Sequence, residues 1–577
     1  MNPAKPAPPS PESKNLARWV RAFGRRLTET ISIHIEGNDR LGAKAADLLG
    51  RYLTERTGLA VHRDSANAAH ILLDISPELP PESFRIESLP SGGVRLSGGD
   101  GRGLIYAVGC FLQRSLLETG CLGLTAWRGT DIPARPWRGM YFATHFHNFY
   151  HDAPLEKVVR YIEELAMYGC NTLNVWFDLH HYPGIGDPAA QAMIRRLRAL
   201  LEAARSVGIG AGLTTLANEG WSSTPEALKA SNAKNADYFQ SPGGFYHTEI
   251  CPSLPGGMEL ILRNREEVLA AFSGMDFTNV WIWPYDQGGC TCAACKPWGA
   301  NGFLRVGQAE AALVKRYFPK ARYVLSTWYF DHFIKGEWEA FERRLRAERP
   351  AWIDLLMIDD FLGFSEWPRR NGIPLGLPTV CFPEISMCGN HPWGGYGALP
   401  RPRHWEEYWR DAGHFQCGNF PYSEGIFEDL SKFVLLQLNR QPGRAVEDIV
   451  AEYIAGHFGE ESVADVTRAC YLMEQDQGTN NWSSSENPGR IFNNPTEWPQ
   501  AEEAAALMEA TDARLPEDIR ASWRWRLLYL RALIDRELKR TGGRHNAALD
   551  GWFRELATIY HATPGTSEES VTPPLRA

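Results

Sequence analysis

The sequence predicts an α/β protein built on a (β/α)8 barrel, or TIM barrel, with a smaller domain on either side. The chain has 577 residues, which is too long for one ordinary domain. From Trp137 onward, a short apolar strand followed by an amphipathic helix recurs eight times. Polar and aromatic residues follow each of these strands. We therefore predict a catalytic barrel over 131–440, a small α/β domain over 30–130 and a helical domain over 441–577.

The first 29 residues are rich in proline and polar side chains and lack the apolar centre of a signal peptide. We predict that 1–29 is a disordered tail and that the protein is cytoplasmic. The 11 cysteines are an odd number and are scattered apart from one cluster, which also favours reduced thiols in a cytoplasm. No apolar run approaches the roughly 18 residues of a membrane span. A net charge of −9 without a Lys/Arg block argues against a nucleic-acid or membrane partner.

The predicted amino-terminal domain alternates strand and helix signals. The elements are Ile31–Glu36, a helix from Leu41 to about Thr57, strands near Ala69–Ile75, Phe84–Ser88 and Gly93–Ser97, and a helix from Leu104 to about Leu117. Glycines precede the second helix in Gly98–Arg114, as in a phosphate-binding loop. This stretch lacks the lysine and spacing of a Walker motif, so we predict a tight turn and no nucleotide.

Eight apolar runs form the predicted barrel. They are Gly139–Thr144, Thr172–Phe177, Gly210–Thr215, Asn279–Trp283, Tyr323–Thr327, Ile353–Ile358, Thr379–Phe382 and Gly418–Tyr422. The predicted helices between them include Leu155–Tyr168, Ala189–Val207, Arg263–Phe272, Leu304–Tyr317 and Glu337–Arg349. The segment 218–257 is too long for an ordinary loop and is predicted to be a lid or pocket wall. Beyond the barrel, helical periodicity marks Leu430–Leu438, Ala445–Phe458, Ser462–Glu474, Ala501–Thr511 and Asp518–Arg540.

The site of a parallel barrel lies at the carboxyl ends of its strands, so the residues just past each strand are the candidates. Asp286 stands out because it follows a strand buried on both faces and begins a Gly/Cys-rich loop that excludes water, which suits a general acid. We predict Asp286 as the general acid, with Glu384, Asp359 or Asp360 as the base or nucleophile. The predicted substrate contacts are His145, His147, Asn148, Asp178, His180, Trp221, Tyr285, Gln287, Trp328, Tyr329, Tyr422 and Glu424.

Carboxylates combined with aromatic residues, without a phosphate motif, point to glycoside hydrolysis. This chemistry needs one protonated acid at the leaving oxygen and one carboxylate that activates water or attacks carbon. The 20 tryptophans fit the same chemistry, since aromatic faces hold the apolar faces of sugars. We expect an exo-acting enzyme that removes a terminal sugar from an oligosaccharide or other glycoside.

A family resemblance supports this expectation. The segment DGRGLIYAVGCFLQ, followed by a barrel that begins PWRGMYFATHFHN, resembles the architecture shared by α-glucuronidases and β-N-acetylhexosaminidases. The motif GNFPYSEGIFEDL looks like that of relatives of the same group. The resemblance covers about residues 30–440 and implies a glycoside hydrolase acting on a uronic acid or N-acetylhexosamine.

The two families imply different site residues. Hexosaminidases of this type place an Asp-Glu pair after the fourth strand, with the Glu as the acid; this sequence has Asp286-Gln287, which argues against that chemistry. α-Glucuronidases use a Glu acid after the fourth strand and base candidates after the sixth and seventh. The resemblance then implies Asp286 as a shorter acid, with Asp359, Asp360 or Glu384 as the base.

The remaining expectations concern metals and the rival function. Cys290, Cys292 and Cys295 form a CxCxxC cluster with metal-ligand spacing, for which Cys388 is a fourth ligand that only tertiary structure could supply. A metal-free loop stiffened by buried thiols is the favoured alternative, so no cofactor is expected. The histidines more often bind hydroxyls or carboxylates than a metal. The rival function is a non-catalytic carbohydrate-binding protein on a decayed hydrolase barrel. The sequence does not predict the oligomeric state.

Overall fold

The computed structural model describes residues 22–561 except for several internal segments. Those outside the description are 38, 67, 145–147, 232–246, 287–288, 333–334, 361–363, 387–391, 395–396 and 478–497. All structural statements below refer to the described residues. Among them, no helix is both long enough and apolar enough to cross a membrane.

The amino-terminal region is a small α/β unit. Its elements are β1 (Phe23–Leu27), β2 (Thr30–Ile35), α1 (Arg40–Thr57), β3 (Ala60–Arg63), β4 (Ile71–Ile75), β5 (Phe84–Ser88), β6 (Val94–Gly98), α2 (Gly101–Arg114), β7 (Leu116–Glu118), β8 (Cys121–Thr125) and β9 (Gly129–Asp131). Six strands form one sheet in the order β3-β2-β4-β6-β5-β9, and β1-β8-β7 form a second. The prediction of a disordered tail over 1–29 is wrong for residues 23–27, because β1 pairs antiparallel with β8.

The central region is a closed parallel barrel, which confirms the predicted fold class. Its strands are β10 (Trp137–Phe142), β11 (Thr172–Trp176), β12 (Gly210–Leu216), β13 (Phe277–Trp283), β14 (Arg322–Ser326), β15 (Leu355–Asp360), β16 (Thr379–Pro383), β17 (Gly418–Asn419) and β18 (Tyr422–Ser423). From β10 to β17 each strand pairs in parallel with the next, and β10 closes the barrel by pairing with β17 and β18.

The eighth strand position is divided between β17 and β18. Pro421 lies between them and has no N–H to give to the ladder, so regular pairing stops there. Phe420 turns its ring into the barrel against Gly139, where an added Cβ would lie 1.9 Å from the ring. Only glycine leaves room for that ring.

Helices surround the barrel and continue beyond it. The barrel helices are α3 (Phe149–Asp152), α4 (Leu155–Met167), α5 (Pro188–Ser206), α6 (Gly257–Ala271), α7 (Gly302–Tyr317), α8 (Glu337–Glu348), α9 (Glu366–Asn371), α10 (Pro402–Ala412) and α11 (Asp429–Arg440). The carboxy-terminal helices are α12 (Val446–Phe458), α13 (Val463–Gln475), α14 (Ala501–Asp512), α15 (Glu517–Arg520), α16 (Trp523–Thr541) and α17 (Ala547–Tyr560). The helix predicted over Asp518–Arg540 is divided, because Ser522 caps the amino end of α16.

Paired charges join the amino-terminal unit to the barrel. Arg138 on β10 is 1% exposed and makes an ion pair with Glu82, while Arg440 pairs with Asp131. Arg138 also donates to the Gly169 carbonyl oxygen at 2.9 Å. We call Glu82, Asp131, Arg138 and Arg440 the interdomain cluster. Arg138 therefore serves this contact and does not face a substrate.

Candidate active site

The barrel interior is closed by a floor of aromatic rings. Trp283 lies 5.1 Å from Trp328 and 4.9 Å from Phe382, measured between ring centroids. Tyr141 stacks on Trp281 at 5.9 Å and on Tyr422 at 5.6 Å. Each strand sends alternate side chains inward, so these rings fill the interior and leave the carboxyl ends as the open side.

Three predicted carboxylates on that side interact electrostatically with one tyrosine. Tyr329 follows β14 and is half-buried. Burial raises the pKa of its phenol far above the usual value, and the charges of Asp359, Asp286 and Glu384 raise it further. Asp286 and Glu384 follow β13 and β16, and Asp359 is the penultimate residue of β15, so the carboxyl ends of three strands carry acids. We call Asp286, Asp359 and Glu384 the acidic group.

The backbone at Tyr329 is itself unusual. Its φ is +53°, a left-handed conformation that costs a residue with a side chain about 1–3 kcal/mol. Its amide donates to Asp359, whose carboxylate also accepts from Ser365 Oγ at 3.0 Å. Such a strained conformation persists only where surrounding contacts stabilise it. Here it orients the Tyr329 ring toward the acidic group.

Asp359 and its neighbour face opposite ways, because side chains alternate along a strand. Burial raises the pKa of Asp359 to about 6, and its charge is felt by Tyr329. Asp360 instead interacts with Arg369 and Asp411 in the helical layer, and burial with the adjacent Asp359 raises its pKa well above the usual range. The prediction that Asp360 is a base candidate is wrong, since it lies behind the barrel wall.

Glu384 is held in place by the next strand position. Its backbone forms a parallel β-bridge with Tyr422, and its Oε1 accepts a hydrogen bond from the Ser386 amide at 2.6 Å. The Tyr422 hydroxyl donates to Glu424 at 2.8 Å, and Ser386 Oγ accepts the Glu424 amide at 2.9 Å. Glu424 and Tyr422 thus form one hydrogen-bonded edge beside Glu384, as the strand-end prediction expects.

A further acid, Glu249, lies beside Asp286. It comes from the connection after β12, is 3% exposed, and accepts from Asn218 Nδ2 at 3.3 Å. Burial raises the pKa of Glu249 well above its usual value, and the charge of Asp286 is among the smaller causes. The charges of the two carboxyl groups therefore interact, and burial favours the protonated form of Glu249.

The ends of β11 and β12 carry a histidine and carboxylate cluster. Asp178, His180, Glu219 and His247 each offer a ligand atom, and these atoms lie within 4.8 Å of one another. The Leu179 amide donates to Glu219 at 2.7 Å, and His180 pairs with Asp178. His247 stacks on Trp176 at 5.1 Å between ring centroids.

The two histidines carry different charges. Burial alone would lower the pKa of His180, but Asp178 and Glu219 outweigh it and raise the value to about 10. Burial lowers the pKa of His247 to about 3, so its ring is neutral. His180 is therefore charged and paired with Asp178 and Glu219, within a network suited to binding hydroxyl groups. Burial raises the pKa of the Tyr141 phenol well above its usual value, and the charges of Asp178, Asp286 and Glu219 raise it further.

A guanidinium lies next to the acidic group. Arg401 is half-buried just before α10, and its charge interacts with Glu474 and with Glu384. Burial lowers the pKa of Arg401. It supplies a cation beside a carboxylate that the strand pattern placed at the site.

Several predicted substrate contacts lie elsewhere. Asn148 is fully buried and caps α3, accepting the Tyr150 amide at 3.0 Å. The Tyr285 hydroxyl donates to Glu337 on α8 at 2.6 Å, and Trp221 Nε1 donates to Glu267 on α6 at 3.1 Å. Trp328 is 1% exposed within the aromatic floor. The polar atoms or faces of these four make contacts within the barrel, and substrate contact by them stays a prediction.

The predicted residues His145, His147 and Gln287 lie outside the described residues. Sequence analysis missed Glu249, His247 and Arg401. Glu249 and His247 belong to the long segment 218–257, whose described end returns to the end of β12, since the Ile250 amide donates to the Asn218 carbonyl oxygen at 2.7 Å. The unusual length of this segment was the sequence signal for Glu249 and His247. No sequence feature marked Arg401.

The sequence matches no family model and no curated protein. The fold is similar to that of a GH115 4-O-methyl-α-glucuronidase with specificity for decorated arabinogalactans, with a TM-score of 0.62, 12% identity, and coverage of 96% of this chain and 79% of that chain. It is also similar to a GH20 exo-β-N-acetylglucosaminidase from Vibrio harveyi (TM-score 0.54, 15% identity, 77% and 76% coverage). A GH138 enzyme targeting pectin rhamnogalacturonan II matches with a TM-score of 0.56, 11% identity, and 92% and 72% coverage. At these identities the likeness establishes the fold, which is shared with glycoside hydrolases.

Proposed function

We propose that the protein is an exo-acting glycoside hydrolase that removes a terminal sugar from an oligosaccharide by carboxylate acid/base catalysis. The observation that carries this is the position of Asp286, Asp359 and Glu384 at the carboxyl ends of three strands of one parallel barrel, where the charges of all three act on Tyr329. Hydrolysis of a glycoside needs two carboxyl groups that differ in protonation, one to protonate the leaving oxygen and one to activate water or attack the anomeric carbon.

The roles follow from position. Asp286 is the general acid, and the buried Glu249 is a positioning residue whose charge interacts with that of Asp286. Glu384 is the base or nucleophile, because the Ser386 amide and the Arg401 charge stabilise its ionised form. Asp359 is the second candidate for this role. Tyr422 and Glu424 bind sugar hydroxyl groups.

We favour an acidic terminal sugar, a uronic acid, over an N-acetylhexosamine. Arg401 places a guanidinium beside Glu384, where a substrate carboxylate would bind. The amide at Gln287, where hexosaminidases of this fold carry their acid, removes the residue that the second substrate class would need. The GH115 likeness is consistent with the first class.

A panel of nitrophenyl glycosides tests the proposal. We expect release of nitrophenol from a glucuronide and little release from an N-acetylglucosaminide of either anomeric configuration. Turnover of the hexosaminide alone would keep the hydrolase and overturn the preferred sugar. Oligosaccharide binding measured by calorimetry, without turnover of any glycoside in the panel or of the bound sugars, would favour the carbohydrate-binding alternative.

A further inference from the structure

Four cysteines from two separate connections meet beside the candidate site. Cys251 lies in the connection after β12, and Cys290, Cys292 and Cys295 lie in the connection after β13. Their sulfur atoms all lie within 4.8 Å of one another. The predicted fourth cysteine, Cys388, lies outside the described residues, whereas Cys251 is separated from the other three by a helix and a strand. Sequence spacing alone could not pair them.

The distances suit one tetrahedral ion. Cys251 Sγ lies 3.8 Å from Cys292 Sγ and 3.9 Å from Cys295 Sγ. Four thiolates around a zinc ion with Zn–S bonds of about 2.3 Å stand about 3.8 Å apart. A disulfide would bring two of these sulfur atoms to about 2.05 Å, and all four cysteines are free thiols in the structure.

The local backbone is shaped for chelation. The amides of Cys295 and Lys296 both donate to the Cys292 carbonyl oxygen, at 3.0 and 3.1 Å. This tight turn brings the sulfur atoms of Cys292 and Cys295 to the same side. Cys290 and Cys295 are fully buried and Cys251 is 3% exposed, so the cluster is closed, as structural zinc sites are.

A second layer of donors surrounds the sulfur atoms. Ser253 Oγ lies 3.0 Å from Cys295 Sγ, and Arg305 donates to Ser253 Oγ at 2.6 Å. Arg305 itself is 4.0 Å from Cys295 Sγ. A zinc ion with four thiolates carries two negative charges, and a hydroxyl and a guanidinium at this distance offset them.

We propose that Cys251, Cys290, Cys292 and Cys295 bind one structural zinc ion, which ties the connection after β12 to the connection after β13. These connections carry Glu249 and Asp286, respectively two and four residues from the nearest ligand. The ion fixes the two connections relative to each other and leaves no open coordination position for substrate. This inference does not depend on the proposed function, since it concerns ligand geometry alone.

Metal analysis of the purified full-length chain tests the proposal. We expect about one equivalent of zinc bound through these thiols, with an X-ray absorption first shell of sulfur only at about 2.3 Å. Tetrahedral cobalt substituted for the zinc should show thiolate charge-transfer bands. Both measurements use the wild-type protein, so they hold even if cysteine variants fail to fold.

Paired variants locate the ion. Cys290→Ser should lose about one equivalent of zinc relative to wild type and melt at a lower temperature. Cys470→Ser is the matched control, because Cys470 is also fully buried but lies alone in α13. Chelation should lower the melting temperature of wild type and of the control. Zinc content unchanged in Cys290→Ser, a shell of nitrogen and oxygen, or disulfides among the four cysteines would each overturn the proposal.

Discussion

The pKa values of buried carboxylates are shifted in opposite directions in the interdomain cluster and in the acidic group. At the interdomain cluster, Arg138 and Arg102 overcome the effect of burial and lower the pKa of Glu82. At the mouth of the barrel, burial dominates and raises the pKa of Asp359 to about 6. In the interdomain cluster, ion pairs join two parts of the fold. In the acidic group, burial with few cations nearby gives Asp359 a raised pKa, which suits acid/base catalysis.

The largest expected effect is on catalysis at the mouth. Asp286→Asn should lower kcat/KM on an oligosaccharide by about 10²–10⁴-fold, or roughly 3–5 kcal/mol, because the leaving oxygen is no longer protonated. The loss should be smaller on a nitrophenyl glycoside, whose leaving group needs little protonation. Steady-state kinetics on both substrates measures the difference.

The control for this variant is Asp276→Asn. Asp276 is exposed at the opposite end of β13, and its substitution should leave both rates unchanged. An equal loss on both substrates in Asp286→Asn would assign Asp286 another role. Full activity on the oligosaccharide would remove it from the mechanism.

The next effect is on stability at the interdomain cluster. Glu82→Gln should lower the free energy of unfolding by about 3 kcal/mol, because Arg138 is left buried with an unpaired charge. Activity per folded molecule should stay the same. Urea unfolding of this variant and of Glu78→Gln, an exposed neighbour, provides the comparison. A similar free energy of unfolding for the two variants would show that the ion pair is not needed for stability.

The third effect is the pH dependence of the free energy of unfolding, which has opposite signs for Asp359 and Glu82. The folded pKa of Asp359 is above its unfolded value, so the free energy of unfolding should fall as pH rises from about 4 to about 6. Asp359→Asn removes this slope and should be more stable than wild type above pH 6 by roughly 2–3 kcal/mol. The folded pKa of Glu82 is lowered, so its contribution is present above the unfolded pKa and is lost as pH falls through the folded pKa.

Urea unfolding at several pH values between about 3 and 7 measures both slopes. Asp359→Asn should flatten the decline with rising pH, and Glu82→Gln should flatten the loss on acidification. Identical slopes for Asp359→Asn and wild type would mean that Asp359 is not the protonated group in this range.

The smallest expected effect is on stability and concerns Tyr285, whose hydroxyl bonds to a barrel helix. Tyr285→Phe removes the hydroxyl that donates to Glu337 at 2.6 Å, and we expect a loss of about 1 kcal/mol in stability. Because that hydroxyl faces α8, kcat/KM should not change. A marked rise in KM would instead support the sequence-based prediction that Tyr285 contacts substrate.

The fold was predictable because each barrel strand is a short apolar run, and the observed bounds of β13 include the predicted Asn279–Trp283. Strand ends also located Asp286, Asp359 and Glu384. In a parallel barrel the carboxyl ends of all strands lie on one side, so residues at these ends can be predicted to lie near each other without knowing the paths of the loops.

The rest of the site depended on details that a linear pattern does not contain. Alternation decides between Asp359 and Asp360, and a shift of one residue in the predicted strand exchanges their faces. Tyr285 follows its strand closely but turns toward a helix. Glu249, Cys251 and Arg401 come from long connections, whose paths depend on tertiary packing.

Closure of the barrel between β10 and the divided strand β17 and β18 also bears on how the protein is made. Trp137 pairs with Gly418, so the first strand emerges from the ribosome long before its partner. Until then one edge of the growing sheet is unpaired, and open edges invite association with other chains. Since residues remote in sequence must meet before the sheet closes, we expect slow refolding, with yields that fall as protein concentration rises.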